Sequence, residues 1–197
     1  MNNRLVQGVG VYEKGDYVSY ALGKETKHYR LWVGMLERCY SDKHLLKRPT
    51  YLGCSVSSEF SNFQKFAKWC DEQVSFGING YQLDKDIIYK GNKQYNRESC
   101  AFVPREVNML LINRKASRGE WPIGVYFDTQ KGKFMAQYKT GGGKRKYIGL
   151  YSTPDEAFIA YKEAKENHIK MVAEKYKDSI DPRVYRALLE WSVEVED

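Results

Sequence analysis

The feature that most constrains the fold is a change of hydrophobic period in the C-terminal half of the chain. Three short segments, GVYFDT, KFMAQYK and RKYIGLY, alternate apolar with polar residues and are separated by glycine-containing turns, a pattern typical of a β-meander. A helical period begins after them at Thr153, where a threonine N-cap, Pro154 and Glu156 form a capping box. These residues predict a three-stranded antiparallel sheet packed on one helix.

Alternation along the strands divides the sheet into two faces, because successive side chains of a strand point to opposite sides. We expect the helix to cover an apolar face, which consists of Val125, Phe127, Phe134, Ala136, Tyr138, Ile148 and Leu150. The opposite face is polar and basic, and consists of Tyr126, Met135, Gln137, Lys139, Arg145 and Tyr147.

Positive charge is concentrated on this second face and in its turns. Between positions 131 and 147 there are six Lys or Arg residues and no Asp or Glu, and the whole chain carries a net charge of +7. A small sheet fits the DNA major groove, where Arg, Lys and Gln bond base edges, and cations in turns contact phosphates without reading sequence. The alternative is an ordinary solvent-exposed face. We predict duplex DNA binding, with Lys131, Lys133, Lys144 and Lys146 on the phosphates.

A family resemblance covers residues 122–165. The residues that carry it are Gly124, Val125, Lys133, Phe134, Ala136, Ile148, Gly149, Thr153, Glu156, Ala157, Ala160, Tyr161 and Ala164. With them the region resembles the DNA-binding domain of plant ethylene-response factors (an ERF-like domain) and its relatives in bacteriophage and homing endonucleases. The resemblance implies base and phosphate contacts by Tyr126, Gln137, Lys139, Arg145 and Tyr147. Ile123, Tyr126 and Asp128 stand where that family has arginines, which implies a different target sequence.

The N-terminal half predicts helices followed by a ββα unit. Apolar residues recur at three and four positions over residues 29–40 and again from Phe60 to Cys70, which indicates two amphipathic helices. Two short extended runs, LDKDIIY and CAFV, come next and flank a loop rich in Gly, Asn and Lys. Pro104 then suits the first turn of a short helix.

A second resemblance covers residues 29–113. It rests on Trp32, Met35, Arg38, Cys39, Tyr40, Asp84, Lys85, Gly91, Asn92, Tyr95, Glu98, Cys100 and Asn108. This half is similar to a branch of HNH-type (His-Me finger) nucleases of phage and mobile elements. The resemblance places Asp84, Lys85 and Asn108 at catalytic positions, and Ser99 where the family has an asparagine.

Nuclease chemistry of this type needs a neutral base and a divalent metal. Lys85 stands at the position of the base, and a charged ammonium accepts no proton. The three histidines, His28, His44 and His168, lie outside the ββα unit. Asp84 and Asp86, with Asn108, offer oxygen ligands of the kind that Mg²⁺ prefers. We expect a degenerate nuclease scaffold that grips DNA and requires no cofactor; Mg²⁺ would be needed only by an active enzyme.

The sequence as a whole predicts an α+β protein. We expect an irregular arm at 1–28, the HNH-like module at 29–113, a linker at 114–122, the ERF-like domain at 123–177, and a C-terminal helix with an acidic tail at 178–197. The chain has no apolar run of the roughly 20 residues that span a bilayer and no apolar signal segment, so we expect a protein of the host cytoplasm without a membrane partner. Two alternatives to a DNA-binding protein stay open: a metal-dependent homing-type endonuclease, and a phage inhibitor of a host defence nucleoprotein complex.

Overall fold

The computed structural model describes residues 5–112, 119–195 and 197, and its mixed helices and strands confirm the predicted α+β class. The chain forms two compact units that divide between Phe102 and Val103. Positions 1–4 of the predicted arm and 114–118 of the predicted linker lie outside the described residues.

The first unit contains the predicted helices, with one difference. Helix α1 spans Lys27–Tyr40 and begins at Thr26, whose side chain accepts a hydrogen bond from the N–H of Tyr29. Short helices follow at Asp42–Lys47 (α2) and Pro49–Tyr51, the latter a 3₁₀ turn. The predicted second amphipathic helix is two helices, α3 (Ser58–Ser61) and α4 (Phe63–Asp71). Asn62 separates them because its side chain caps α4, accepting from the N–H of Lys65 at 3.2 Å.

The strands of the first unit are short. Strand β1 (Tyr20–Ala21) pairs antiparallel with β2 (Lys24–Glu25), and β3 (Ser55–Val56) pairs in parallel with β5 (Gln94–Tyr95). Strand β4 (Tyr81–Asp84) pairs with β6 (Ala101–Pro104), along which the chain passes into the second unit. The predicted run LDKDIIY is extended only as far as Asp84.

An aromatic cluster forms the core of the first unit. Trp32, Phe60, Phe63, Phe66 and Trp69 are all fully or almost fully buried. The indole N–H of Trp32 donates to the carbonyl of Phe60 at 2.9 Å, so its polar edge is satisfied. The four cysteines are buried and unpaired.

The second unit is the predicted meander with its helix. It comprises α5 (Arg105–Leu110), β7 (Val125–Asp128), β8 (Lys133–Lys139), β9 (Arg145–Tyr151), α6 (Pro154–Tyr176) and α7 (Pro182–Leu189). The sheet order is β7-β8-β9 with both pairings antiparallel, and both halves of the capping box at the start of α6 are present. No helix in the described part of the chain is long and apolar enough to cross a bilayer.

Helix α6 covers one face of this sheet. Ala157 and Tyr161 of α6 pack against Val125, Ala136 and Tyr138, and all five are buried. The close approach requires glycine at position 124, which has φ +78° and lies directly over the Tyr161 ring. Helices α5 and α7 in turn pack on α6. One face of the sheet is thereby used for the core, and the other is left to solvent.

Candidate nucleic-acid interface

The central part of the uncovered side of the sheet, hereafter the outer face, consists of seven side chains in three strands. Asp128, directly opposite Lys133, continues this side at one rim. Strand pairing places Tyr126 opposite Met135, and Met135 opposite Leu150; further along, Gln137 lies opposite Tyr147 and Lys139 opposite Arg145. The six residues predicted for this face from alternation are therefore next to one another. Leu150 is the seventh.

A β-bulge explains why Leu150 was predicted on the wrong face. Ala136 pairs with Gly149 but the next residue, Gln137, pairs with Tyr147, so Ile148 has no partner. One extra residue reverses the alternation of a strand. Leu150 is consequently on the outer face, and Lys146, predicted among the phosphate contacts there, pairs with Tyr138 on the helix side.

The outer face is accessible. Tyr126 is 48% exposed and Tyr147 57% exposed, and the side chains of Lys139 and Arg145 are exposed as well. Met135, Gln137 and Leu150 are half-buried between their neighbours. A ligand with a flat surface could contact all seven side chains of the outer face.

Two like charges face each other across the end of this surface. Lys139 and Arg145 are a directly opposed cross-strand pair, and neither side chain forms an ion pair within the described residues. Like charges in this position repel each other and destabilise a sheet, and no acidic side chain among the described residues pairs with either of them. A bound anion between the two cations would remove that cost.

The turn that joins β8 to β9, residues 139–145 and hereafter the basic turn, is closed by its own backbone. The N–H of Thr140 donates to the carbonyl of Lys144, and the N–H of Gly143 to the carbonyl of Thr140, both at 2.8 Å. Gly141 is buried against α5, where any Cβ would overlap the backbone carbonyl of Glu106. The turn thus has a fixed place, and it presents Lys144 to solvent.

The opposite rim of the outer face carries one acid, Asp128. Its carboxylate accepts from the N–H groups of Gln130 at 3.0 Å and Lys131 at 3.1 Å, so it stabilises the turn between β7 and β8. Lys131 and Lys133 are exposed beside it, and neither has an ion pair in the part of the chain that the structure describes. Cations therefore stand at both ends of the outer face.

In the first unit, Lys85 is held by neighbours. Its ammonium donates to Oδ2 of Asp86 at 3.0 Å and to the carbonyl of Asn92 at 2.9 Å, and lies 6.0 Å from the centre of the Tyr95 ring. Burial is the largest single influence and lowers the pKa of Lys85, but the charge and hydrogen bond of Asp86, with smaller contributions from Cys54 and Asp84, together leave the pKa above its ordinary value. A lysine in this state stays protonated at neutral pH and accepts no proton from water.

The two carboxylates predicted to hold Mg²⁺ are already engaged. Oδ1 of Asp84 accepts from the N–H groups of Asp86 and Ile87, both at 2.9 Å, and Asp86 carries the Lys85 ammonium. Burial raises the pKa of Asp84, which weakens it as an anionic ligand. The Lys85 ammonium on Asp86 repels a second cation, so the carboxylates of Asp84 and Asp86 are a poor fit to Mg²⁺. Asn108, the other predicted catalytic residue, lies in α5 of the second unit.

The three histidines and Ser99 contact neighbouring side chains and backbone of the fold. His28 contacts Asp71 through Nε2 at 2.7 Å, and His44 packs its ring against Tyr51. His168 lies in α6 against Tyr138. Ser99, at the asparagine position, donates its hydroxyl to the carbonyl of Gln94 at 2.9 Å. Nowhere in the described ranges do three or more His, Cys, Asp or Glu side chains group as a metal site would require.

One residue near the outer face was missed from the sequence. Lys165 of α6 is buried, and its ammonium donates to the carbonyls of Leu110 at 2.8 Å and Lys139 at 3.2 Å. A signal was available, since position 165 is four residues from both Tyr161 and Ile169 and so lies on the buried face of the helix.

Comparison with known proteins identifies no relative. No protein-family model, no curated protein and no solved structure matches this chain. What the chain binds is therefore inferred from the geometry and charge of the outer face.

Proposed function

We propose that this protein binds duplex DNA by inserting the outer face of its sheet into the major groove. The observation that carries the proposal is the exposed Lys139/Arg145 pair, two opposed cations without a counter-charge in the described residues, on the same surface as two exposed tyrosines. A polyanion with flat, hydrogen-bonding edges would offer negative charge to the two cations and planar contacts to the tyrosines.

The dimensions support this docking mode. Neighbouring strands lie about 4.8 Å apart, so three strands span about 10 Å between the outer two. The major groove of B-form DNA is about 12 Å wide. The sheet can enter it with the strand backbones near the groove walls, which brings the turns at both ends of the outer face close to phosphates.

The side chains divide the work of recognition. Gln137 can hydrogen-bond a base edge, and Gln on adenine is a pairing with matching geometry. The Lys139/Arg145 pair, at the strand end beside the basic turn, can neutralise phosphates. Met135 and Leu150 offer apolar contact to thymine methyl groups. Lys131, Lys133 and Lys144 are exposed at the two ends, where contacts to phosphate fix position without reading sequence.

Salt dependence tests this proposal directly. If about five of these cations neutralise phosphates, the logarithm of the association constant should fall with the logarithm of salt concentration with a slope of about −4.5. Between about 50 and 200 mM salt the affinity should then drop about 500-fold. Fluorescence anisotropy of the full chain with labelled duplexes measures this slope. An affinity that does not change with salt would contradict the proposal.

We also propose that the first unit lacks nuclease activity. The observation behind this is that Lys85, which the HNH resemblance assigns to the position of the general base, is hydrogen-bonded to Asp86 and has a raised pKa. We expect supercoiled plasmid to remain intact with Mg²⁺ or Mn²⁺ under conditions where the protein binds it. The assay is agarose electrophoresis of nicked and linear products. Nicking that is abolished in an Asp84→Asn variant would show that the unit is an enzyme.

A further inference from the structure

Lys165 is a buried lysine that has no carboxylate partner among the residues that the structure describes. It is 8% exposed, and its Nζ donates to the carbonyls of Leu110 and Lys139 while lying 5.6 Å from the centre of the Tyr138 ring. Backbone carbonyls and an aromatic face orient an ammonium, but they do not neutralise it. The second unit thus buries the positive charge of the Lys165 ammonium, which costs free energy.

The two carbonyls that Lys165 contacts join separate parts of the second unit. Leu110 ends α5, and Lys139 ends β8 and opens the basic turn. Gly141 provides an independent anchor, since it packs on the backbone of Glu106 in the same helix. Lys165 and Gly141 together fix the basic turn on α5.

The groups around Lys165 leave an excess of positive charge. Lys146 of β9 lies 6.0 Å from the same Tyr138 ring, and His168 of α6 packs against that ring at 5.2 Å. The nearest acid of α5, Glu106, accepts from the hydroxyl of Tyr176 at 2.6 Å and pairs with Lys175. Lys165 and Lys146 thus lie on the helix side of the strand end that carries the Lys139/Arg145 pair on its outer side.

We propose that Lys165 is a positioning residue for DNA binding. Its ammonium holds the backbone of Lys139 in place and supplies a buried positive charge beneath the Lys139/Arg145 pair. The inference rests on the proposed function, because it assumes that the outer face meets phosphates. It adds that the DNA-binding unit includes α5, through Leu110, and that affinity depends on the protonation of one internal lysine.

The protonation state of Lys165 changes within a pH range in which DNA binding can be measured. Burial lowers the pKa of Lys165 to about 8. The pKa of His168 is lowered by burial and by the charges of Lys165 and Lys146, against a smaller opposing effect of Glu106, so this imidazole is neutral above pH 7. Raising the pH from about 7 to about 9 therefore removes the Lys165 charge while His168 stays unchanged. Affinity for DNA should fall over this range.

Folding stability should respond in the opposite direction. The pKa of Lys165 in the folded chain lies below the value of about 10.4 for an unfolded lysine. Between these two values the unfolded chain binds more protons, so the contribution of Lys165 to the free energy of unfolding increases as the pH rises. A loss of DNA affinity caused by Lys165 therefore cannot be confused with unfolding.

The experiment compares the full chain with Lys165→Met and Lys165→Arg at pH 7, 8 and 9 and constant salt. Duplex binding is measured by anisotropy and stability by urea unfolding. Wild-type affinity should fall about five- to ten-fold from pH 7 to 9, while Lys165→Met should start about that much weaker and change little. Lys165→Arg should keep high affinity at all three values, because guanidinium stays charged.

The outcomes separate the two proposals. Salt-dependent binding with a wild-type affinity that is flat from pH 7 to 9 would overturn the role of Lys165 alone. An absence of binding at pH 7 would overturn the proposed function together with this inference. If Lys165→Met fails to fold, the wild-type profile decides: affinity that falls while stability holds or rises supports the role, and a parallel fall of both contradicts it.

Discussion

Replacing Lys139 and Arg145 together with alanine is expected to weaken duplex DNA binding about 100-fold. Each cation that contacts a base edge or phosphate contributes about 1–3 kcal/mol, and about 2.8 kcal/mol for the pair corresponds to two factors of ten. The slope of affinity against salt should also become shallower by about 2, one for each phosphate that the variant no longer neutralises. Anisotropy titrations at several salt concentrations measure both quantities. The fold should not suffer, because the substitution removes two like charges that repel each other across the sheet.

A matched control removes the same charge elsewhere on the second unit. Lys170 lies in the C-terminal half of α6, the helix that covers the opposite face of the sheet, and Lys177 directly follows its last residue. Both are exposed, and Lys177 pairs with Glu174 at 3.7 Å across two exposed side chains. Lys170→Ala/Lys177→Ala should reduce affinity less than about three-fold, through the change in net charge alone. Equal losses of affinity in the two double variants would mean that binding depends on overall charge and has no preferred surface.

Gly124→Ala should be among the most destabilising single substitutions in the second unit, at about 3 kcal/mol or more. Gly124 has φ +78°, which costs an alanine about 1–2 kcal/mol. A Cβ there would also overlap the buried ring of Tyr161, and forcing an extra methyl group into a packed core costs about 1–3 kcal/mol more. Urea unfolding followed by circular dichroism measures the decrease in the free energy of unfolding.

Gly132→Ala is the natural control for this substitution. Gly132 also has a positive φ, +62°, but the space around a Cβ at that position is empty. Only the backbone cost of about 1–2 kcal/mol should appear there. The difference between the two variants isolates the contact between Gly124 and Tyr161. Equal destabilisation of the two variants would contradict the close contact between Gly124 and the Tyr161 ring of α6.

The sequence predicted the elements of the second unit well because its signals are local. The Thr153–Glu156 capping box and the two turns with glycines at positive φ, Gly132 and Gly143, each depend on residues within four positions of one another. Six of the seven outer-face residues followed from simple alternation. The exception, Leu150, depends on a bulge at Ile148, which is fixed by how β9 packs and pairs and leaves no pattern in the strand itself.

Contacts between residues far apart in the chain could not be predicted from local sequence patterns. The ammonium of Lys165 reaches the carbonyl of Leu110, fifty-five positions away in the chain. The helical period places this lysine on the buried face, but no local pattern indicates which carbonyls it contacts. The split between α3 and α4 was missed for a different reason. Asn62 interrupts an otherwise continuous apolar period, and its side chain competes for a backbone N–H that a single helix would need.

Together these features support the proposal that the sheet binds an anionic partner with a groove. The apolar side is used for the core, with Tyr161 against Gly124, and the basic turn is fixed on α5 through Gly141. The outer face combines two exposed tyrosines with several charges to neutralise. Affinity should accordingly depend more on electrostatics than on the hydrophobic effect.

The most direct test of the outer face is an amide chemical-shift map of the ¹⁵N-labelled chain titrated with a duplex that it binds. We expect the largest changes at the residues of the outer face and the basic turn, above all at Gln137, Lys139, Lys144, Arg145 and Tyr147. Buried residues near the C-terminal end of α6, such as Val172 and Ala173, should change little. Large changes confined to other surfaces, with residues 126–150 unaffected, would contradict the proposal that this sheet reads DNA.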